Sequence, residues 1–96
     1  MEHHSDFIPW QQLALRKKAS FCVVPLTAKG ELDRSAFTEL LARKPKIVAL
    51  AHVSNVLGTV NPAKELIAEA HRAGAVVVLD GAQAIAHRPV NVKELD

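Results

Sequence analysis

Three short runs of almost uninterrupted apolar residues constrain the fold of this chain more than any other feature of its sequence. They cover residues 20–26, 47–51 and 75–79. None of them alternates polar with apolar positions, so each is expected to be a strand buried on both faces, as in parallel sheets that helices cover. All are strand-sized, and no run is long enough to span a membrane.

Helical patterns precede each of these runs. The first is expected to begin at Pro9, and the second to be capped by Asp33. The third is expected to start with Asn61 as its cap and Pro62 in its first position, and to end at Gly74. Helix and strand therefore alternate three times, which predicts a three-layer α/β fold with parallel strands and right-handed crossover helices.

Composition excludes several classes of protein. The chain has 96 residues and a formal net charge of +2, which predicts a single unit over residues 1–96 without a second domain and gives no sign of nucleic-acid binding. No signal peptide or membrane segment is visible. The single cysteine, Cys22, suits a reducing compartment and a cytoplasmic location. Because it lies in an apolar run, we expect Cys22 to be a buried, inert thiol.

Polar residues follow the second and third apolar runs, where ligands of parallel α/β sheets usually bind. Asp80 could hold a cationic ring nitrogen, or it could cap a short helix by accepting the N–H of Gln83; spacing alone favours capping, and both roles are compatible. Asn55 could bind a ligand or close an Asx-turn, and the turn is favoured. We expect Asn55, Asp80 and Gln83 to lie together at one rim of the sheet.

The histidines give no metal site. His3 and His4 are adjacent and would point to opposite sides of an extended segment, and no cluster of cysteines or carboxylates completes a set of ligands. His52, His71 and His87 are expected in loops or on helix surfaces. The glycines are scattered singly, so no glycine-rich phosphate loop is present.

Four motifs together resemble a known family. They are Glu-His-His-Ser at residues 2–5, Ile-Pro-Trp-Gln at 8–11, His-Val-Ser-Asn-Val-Leu-Gly-Thr at 52–59 and Asp-Gly-Ala-Gln-Ala at 80–84. Their order and spacing resemble the Suf-type cysteine desulfurases, the selenocysteine lyase-like group of the class V aminotransferases, which use pyridoxal 5′-phosphate. The resemblance covers essentially the whole chain. It implies the central part of the cofactor-binding large domain of an aspartate aminotransferase-like fold.

The resemblance also implies roles for four residues. His3 matches the catalytic histidine that stacks on the pyridine ring of the cofactor. Asp80 matches the aspartate that pairs with the protonated ring nitrogen and keeps the ring electron-poor. Gln83 matches a glutamine that bonds the phenolic oxygen of the cofactor. Asn55 matches an asparagine near that oxygen and the substrate carboxylate.

The sequence departs from the family in three places. The family's Schiff-base lysine lies in a Ser-Gly-His-Lys motif, and none of the seven lysines here matches it. Its sulfur-accepting cysteine lies much later, so Cys22 is not the counterpart. Asp6 stands where the family has asparagine. We therefore expect the 96 residues alone to be inactive and to bind the cofactor weakly at most.

The implied reaction converts cysteine or selenocysteine to alanine and leaves sulfur on the enzyme as a persulfide, for iron–sulfur cluster assembly or selenium metabolism. The family also implies a homodimer and a protein that accepts the sulfur. Two alternatives stay open at this point. The chain could belong to a class V enzyme with another substrate, or it could be a non-catalytic α/β fragment that self-associates through open sheet edges.

Overall fold

The computed structural model describes all 96 residues, which form five helices and two strands. In chain order they are α1 (His4–Lys17), α2 (Arg34–Leu41), β1 (Ile47–Ala51), α3 (Ala63–Arg72), β2 (Val76–Asp80), α4 (Ala82–Ile85) and α5 (Val92–Leu95). No helix combines the length and the apolar character that crossing a membrane would require.

The two strands form a parallel sheet, as their apolar runs predict. β1 has the predicted bounds, and β2 lies one residue later than predicted. Ile47 is the partner of Val76, and Ala51 is the partner of Asp80, so both strands run toward the same end. α3 lies between them in the chain and supplies the long connection that parallel neighbours need. The predicted α/β class with a parallel sheet is therefore confirmed.

The hydrophobic core lies on one face of this sheet. Side chains alternate across a strand, and Leu50 of β1 and Leu79 of β2 belong to the face that carries the core. The buried cluster joins this face to α2 and α3, and its members are Phe37, Leu41, Leu50, Leu66, Ala70 and Ala75. Ala51 and Asp80 come one position later in each strand, so they belong to the opposite face.

The prediction of a third strand over residues 20–26 is wrong. Only Leu26 takes part in a β-bridge, an antiparallel one with Leu32, and residues 20–24 make no backbone–backbone hydrogen bond. Uninterrupted apolar sequence favours a strand only where a neighbouring strand pairs with it, and the sheet of β1 and β2 does not extend to this segment.

Side chains connect the first part of this segment, residues 20–24, to the rest of the molecule. Phe21 packs edge-on against Phe7 of α1, with their ring centroids 5.2 Å apart. Most of the segment is exposed, and Cys22 is an exposed free thiol. The expectation that Cys22 is buried is therefore wrong, because it depended on the strand that does not form.

Helix α1 begins at His4, five residues before the predicted start at Pro9. His3 caps it, since Nδ1 of its ring accepts the backbone N–H of Ser5 at 3.2 Å. Pro9 lies inside the helix, where its missing N–H removes the bond to the carbonyl of Ser5. The cap and the remaining bonds of the 14-residue helix outweigh that loss.

The predicted cap of α2 is confirmed, whereas the predicted cap of α3 is wrong. Asp33 caps α2 as predicted, with its Oδ1 accepting the N–H of Ala36 at 3.0 Å. Asn61 does not cap α3. Its side-chain amide is buried and donates to the carbonyl oxygen of Ala51 at 2.7 Å. Pro62 occupies the cap position, one residue later than predicted, and the amide of Asn61 ties the start of α3 to the sheet.

Gly74 terminates α3, as predicted: it follows the last helical residue, Arg72, and the cap residue, Ala73, in a turn that needs a left-handed residue. Gly74 has φ +84°, its N–H donates to the carbonyl of His71 at 2.9 Å, and the N–H of Ala75 donates to that of Ala70 at 3.0 Å. These two bonds define a Schellman motif. They satisfy carbonyl groups that the end of the helix would otherwise leave unpaired.

Gly74→Ala is expected to lower the free energy of unfolding by about 1–2 kcal/mol, the usual cost of a left-handed alanine. A Cβ atom at this position would meet no atom within 4 Å, so the loss measures backbone strain alone. Gly81→Ala is the matched control, because Gly81 has φ −95° and its added Cβ would make only an ordinary contact. Urea unfolding followed by circular dichroism measures both variants. Equal losses of unfolding free energy in the two would contradict backbone strain at position 74.

Candidate functional site

The residues predicted to meet at the sheet rim line one cavity of about 240 Å³ at the carboxyl ends of β1 and β2. Eight residues line it: His3, Ser5, Ala51, Val53, Asn55, Asp80, Ala82 and Gln83. All four residues singled out by the family motifs are among them. The predicted clustering of Asn55, Asp80 and Gln83 is confirmed, and His3 joins them from the start of α1.

Asp80 is the last residue of β2, and only one of its two carboxylate oxygens is hydrogen-bonded within the chain. Its Oδ1 accepts the N–H of Ala82 at 2.9 Å, whereas Oδ2 has no hydrogen-bond partner within the chain. The predicted capping bond from Gln83 is wrong: α4 begins at Ala82, so the first free N–H lies two residues after Asp80 and not three. The bond to Ala82 orients the carboxylate and leaves one oxygen free to pair with a cation.

Asn55 lies in the loop that follows β1, but it does not close the turn there. Ser54 does so: its Oγ accepts the N–H groups of Val56 and Leu57 at 3.4 and 3.2 Å, and its carbonyl accepts the N–H of Gly58 at 3.0 Å. The side chain of Asn55 makes no hydrogen bond within the chain and is exposed. The expected Asx-turn is therefore wrong, and the amide of Asn55 is free for a ligand.

Gln83 and His3 complete the polar lining. Gln83 lies on the first turn of α4, and its side-chain amide also has no partner within the chain. The ring of His3 is oriented by Ser5, whose Oγ lies 2.7 Å from Nδ1. One imidazole of defined orientation and two free amides thus surround the carboxylate of Asp80.

A second carboxyl group, that of Glu2, interacts with Asp80 of the site and was missed in the sequence. Glu2 is half-buried with its Oε2 covered and unpaired, and burial raises the pKa of this carboxyl above its usual value of 4.5. The charge of Asp6 and, more weakly, that of Asp80 act in the same direction. Glu2 belongs to the same Glu-His-His-Ser motif as His3, and that position was the one available signal.

No basic side chain balances this charge inside the cavity. All seven lysines are exposed, and neither a lysine nor an arginine is among the lining residues. Carboxylate, amides and imidazole lie between the small apolar side chains of Ala51, Val53 and Ala82. This set of groups fits a flat aromatic ligand that carries one protonated ring nitrogen and one oxygen acceptor, and a pyridoxal ring has both.

Comparisons with known proteins agree with the motifs. The family model described as Aminotransferase class-V matches residues 1–96. A cysteine desulfurase of Dickeya dadantii (strain 3937) is 49% identical over 96 residues, which are all of this chain and 23% of that protein. The resemblance noted in the sequence is therefore confirmed at the level of the family.

Two solved structures share the fold. The apo structure of a cysteine desulfurase from Thermococcus onnurineus NA1 superposes with a TM-score of 0.91 at 40% identity, over 98% of this chain and 23% of that one. The cysteine desulfurase CsdA of Escherichia coli, in its S-sulfonic acid form, gives a TM-score of 0.84 at 36% identity, over 99% and 24%. The chain thus spans about a quarter of the length of these relatives. The match of the family model over all 96 residues shows that this chain belongs to the class V aminotransferase family.

Proposed function

We propose that this chain is the central part of the cofactor-binding large domain of a cysteine desulfurase that uses pyridoxal 5′-phosphate. The observation that carries this proposal is the cavity in which His3, Asn55, Asp80 and Gln83 meet. Those four residues come from three separate segments of the chain, and the fold brings them to one end of a parallel sheet. The relatives named above favour this function over a class V enzyme with another substrate, since each is a cysteine desulfurase.

Asp80 is proposed to bind the protonated nitrogen of the pyridine ring. Its Oδ1 is held by the N–H of Ala82, so Oδ2 is the oxygen available for the ring nitrogen. A half-buried carboxylate pairs with such a cation more strongly than an exposed one, because water screens the pair less. The bound cofactor supplies an electron-poor ring that accepts the electron pair released at the substrate carbon.

The other three residues are proposed to orient the ring. His3 would cover one face of it, since Ser5 fixes its imidazole at the edge of the cavity. The amide of Gln83 would donate to the phenolic oxygen of the ring, and that of Asn55 would serve the same oxygen and the carboxylate of the substrate. Both amides are free of partners within the chain, so neither role requires an existing hydrogen bond to break.

The wider setting of the protein follows from the same proposal. The substrate would be cysteine or selenocysteine, and the products alanine and an enzyme-bound persulfide that passes its sulfur to an acceptor protein. Such a reaction serves iron–sulfur cluster assembly or selenium metabolism in the cytoplasm, and the complete enzyme would act as a homodimer. Self-association of a non-catalytic fragment through open sheet edges stays a separate alternative.

The pairing of Asp80 is tested with pyridoxine 5′-phosphate, whose alcohol group cannot react with surface lysines. Asp80→Asn is expected to weaken its binding about 10- to 100-fold, the usual loss when a charge-assisted hydrogen bond is removed. The asparagine keeps an oxygen for the N–H of Ala82, so the local backbone is preserved. Absorbance of the bound ligand should also show that its ring nitrogen loses its proton at a lower pH in the variant than in the native chain.

Asp96→Asn is the matched control, because it removes the same charge from an exposed position outside the cavity. It is expected to leave both affinity and absorbance unchanged. Equal affinities for native and Asp80→Asn chains, or a ring nitrogen that titrates identically in both, would contradict the role of Asp80.

A further inference from the structure

A second cavity, of about 340 Å³, lies at the start of α3, away from the residues that line the first. Its wall contains the first turn of α3, together with His52 from the loop after β1 and Arg88 from the segment after α4. This volume lies in the range typical of small-molecule sites. None of these residues has a part in the proposed cofactor site.

His52 lacks the hydrogen bonds that a buried imidazole normally makes. The residue lies in a loop, as predicted, but it is only 8% exposed, and its Nδ1 is covered without a partner. Its Nε2 makes no hydrogen bond within the chain either, and it is not among the fully covered atoms. Buried polar groups are nearly always paired. Because Nδ1 is fully covered, Nε2 is the ring nitrogen that a ligand in this cavity could reach.

The groups around His52 are mainly hydrogen-bond donors and cations. The backbone N–H groups of Lys64 and Glu65 have no acceptor within the chain and belong to the first turn of a ten-residue helix, whose dipole favours anions. The side chains of Lys64 and Arg88 add two positive charges, and that of Glu65 adds one negative charge. The cavity therefore has a net positive lining with several unused donors.

The pKa of His52 is consistent with a positively charged cavity lining. Burial lowers the pKa of its imidazole below 6.5, and the positive charge of Arg88 lowers it further. The ring is therefore neutral at pH 7, with one N–H to donate. An anion bound nearby would offset the charge of Arg88 and raise the pKa again.

We propose that this second cavity binds a small tetrahedral oxyanion, of the phosphate or sulfate class, through Arg88, Lys64, the free N–H groups of α3 and the ring of His52. The guanidinium group of Arg88 can donate two parallel hydrogen bonds to two oxygens of such an ion. The helix N–H groups supply further donors, and the uncovered Nε2 of His52 gains a partner. This site is independent of the proposed cofactor site, because the two cavities share no lining residue.

The test is a titration of the 96-residue chain with inorganic phosphate, and separately with sulfate, followed by NMR of the histidine rings and backbone amides. Phosphate or sulfate is expected to shift the signals of His52, Lys64 and Glu65 along one saturable curve and to raise the pKa of His52. Sodium chloride at equal ionic strength is the reference, since screening alone would move these signals without saturation.

Arg88→Gln is expected to weaken this binding about tenfold or more, the loss expected for one charge-assisted hydrogen bond. Lys17→Gln is the matched control, because it removes one positive charge from an exposed site at the end of α1. Saturable binding that Arg88→Gln weakens and Lys17→Gln leaves unchanged supports the proposal. Unsaturable shifts, or equal losses in the two variants, would overturn it, and neither result bears on the binding of pyridoxine 5′-phosphate in the first cavity.

Discussion

Leu66→Ala is expected to lower the free energy of unfolding by about 2–5 kcal/mol, the range for deleting a fully buried leucine side chain. Leu66 is 0% exposed and lies where α3 packs on the sheet and on α2. Only 13 of the 96 residues are buried, so the core is small and little else compensates for a void in it. Since a domain of this size is stable by only about 5–15 kcal/mol, the loss would be a large share of the total. Urea unfolding followed by circular dichroism measures it.

Two further variants serve as controls for Leu66→Ala. Leu15→Ala makes the same substitution at a position that is 67% exposed in α1, and it is expected to change stability by less than about 0.5 kcal/mol. Leu66→Met keeps the volume of the core and is expected to cost less than about 1.5 kcal/mol, so it should fold even if Leu66→Ala does not. If Leu66→Ala were no more destabilising than Leu15→Ala, the packing of α3 on the sheet would be wrong.

A polypeptide of these 96 residues is expected to release no alanine or sulfide from cysteine beyond the rate of free pyridoxal 5′-phosphate with the same thiol. The proposed reaction needs a lysine attached to the cofactor and a thiolate that attacks the sulfur of the substrate. No lysine lines the cavity, and Cys22 lies outside it. The groups that remain would hold the ring without performing either step.

The assay measures alanine and sulfide together, with the complete Dickeya dadantii cysteine desulfurase as the positive control. Cys22→Ser is included because Cys22 is an exposed thiol that could react with persulfides in solution. The native chain could turn over cysteine well above the rate of the free cofactor and lose this activity in Cys22→Ser. That result would mean that the thiol of Cys22 attacks the sulfur of the substrate, contrary to this prediction. Turnover that survives in Cys22→Ser would point to one of the exposed lysines.

The parts of the fold that the sequence predicted well are those where local pattern and tertiary contacts agree. β1 was predicted with its observed bounds, and Asp33 and Gly74 were placed correctly at the ends of α2 and α3, because each uses only nearby backbone groups. Residues 20–26 have the composition of a strand, but no strand of the sheet pairs with them, and pairing is not visible in a single run of sequence. Asn61 was misplaced because α3 begins one residue later than predicted, with Pro62 at the cap position, and its amide bonds the distant carbonyl of Ala51.

The candidate site likewise combines features that the sequence predicted with features that only the structure shows. The strand-end rule and the family motifs together predicted that Asn55, Asp80 and Gln83 would meet, since parallel strands end on one side. Which side chain closes each turn was not predictable from spacing. Ser54 and Asn55 are neighbours with similar turn propensity, and only the structure shows that the hydroxyl of Ser54 takes the turn bonds. Glu2 and His52 owe their importance to burial, which depends on segments far away in the chain.

The parallel pairing of β1 and β2 also determines how the first cavity can assemble during folding. Ile47 and Val76, partners in the first row of the sheet, are 29 positions apart in the chain (76 − 47), so no tight local hairpin can begin the pairing. The ends must first close a long loop, which costs entropy before any backbone bond forms, and packing of α3 has to offset that cost. Ala51 and Asp80 are the last row of the same ladder, and the N–H of His52 extends it by donating to the carbonyl of Asp80 at 2.9 Å. The rim of the cavity is therefore expected to form and unfold together with the whole strand–helix–strand unit, and any opening that separates β1 from β2 would also separate the proposed binding residues.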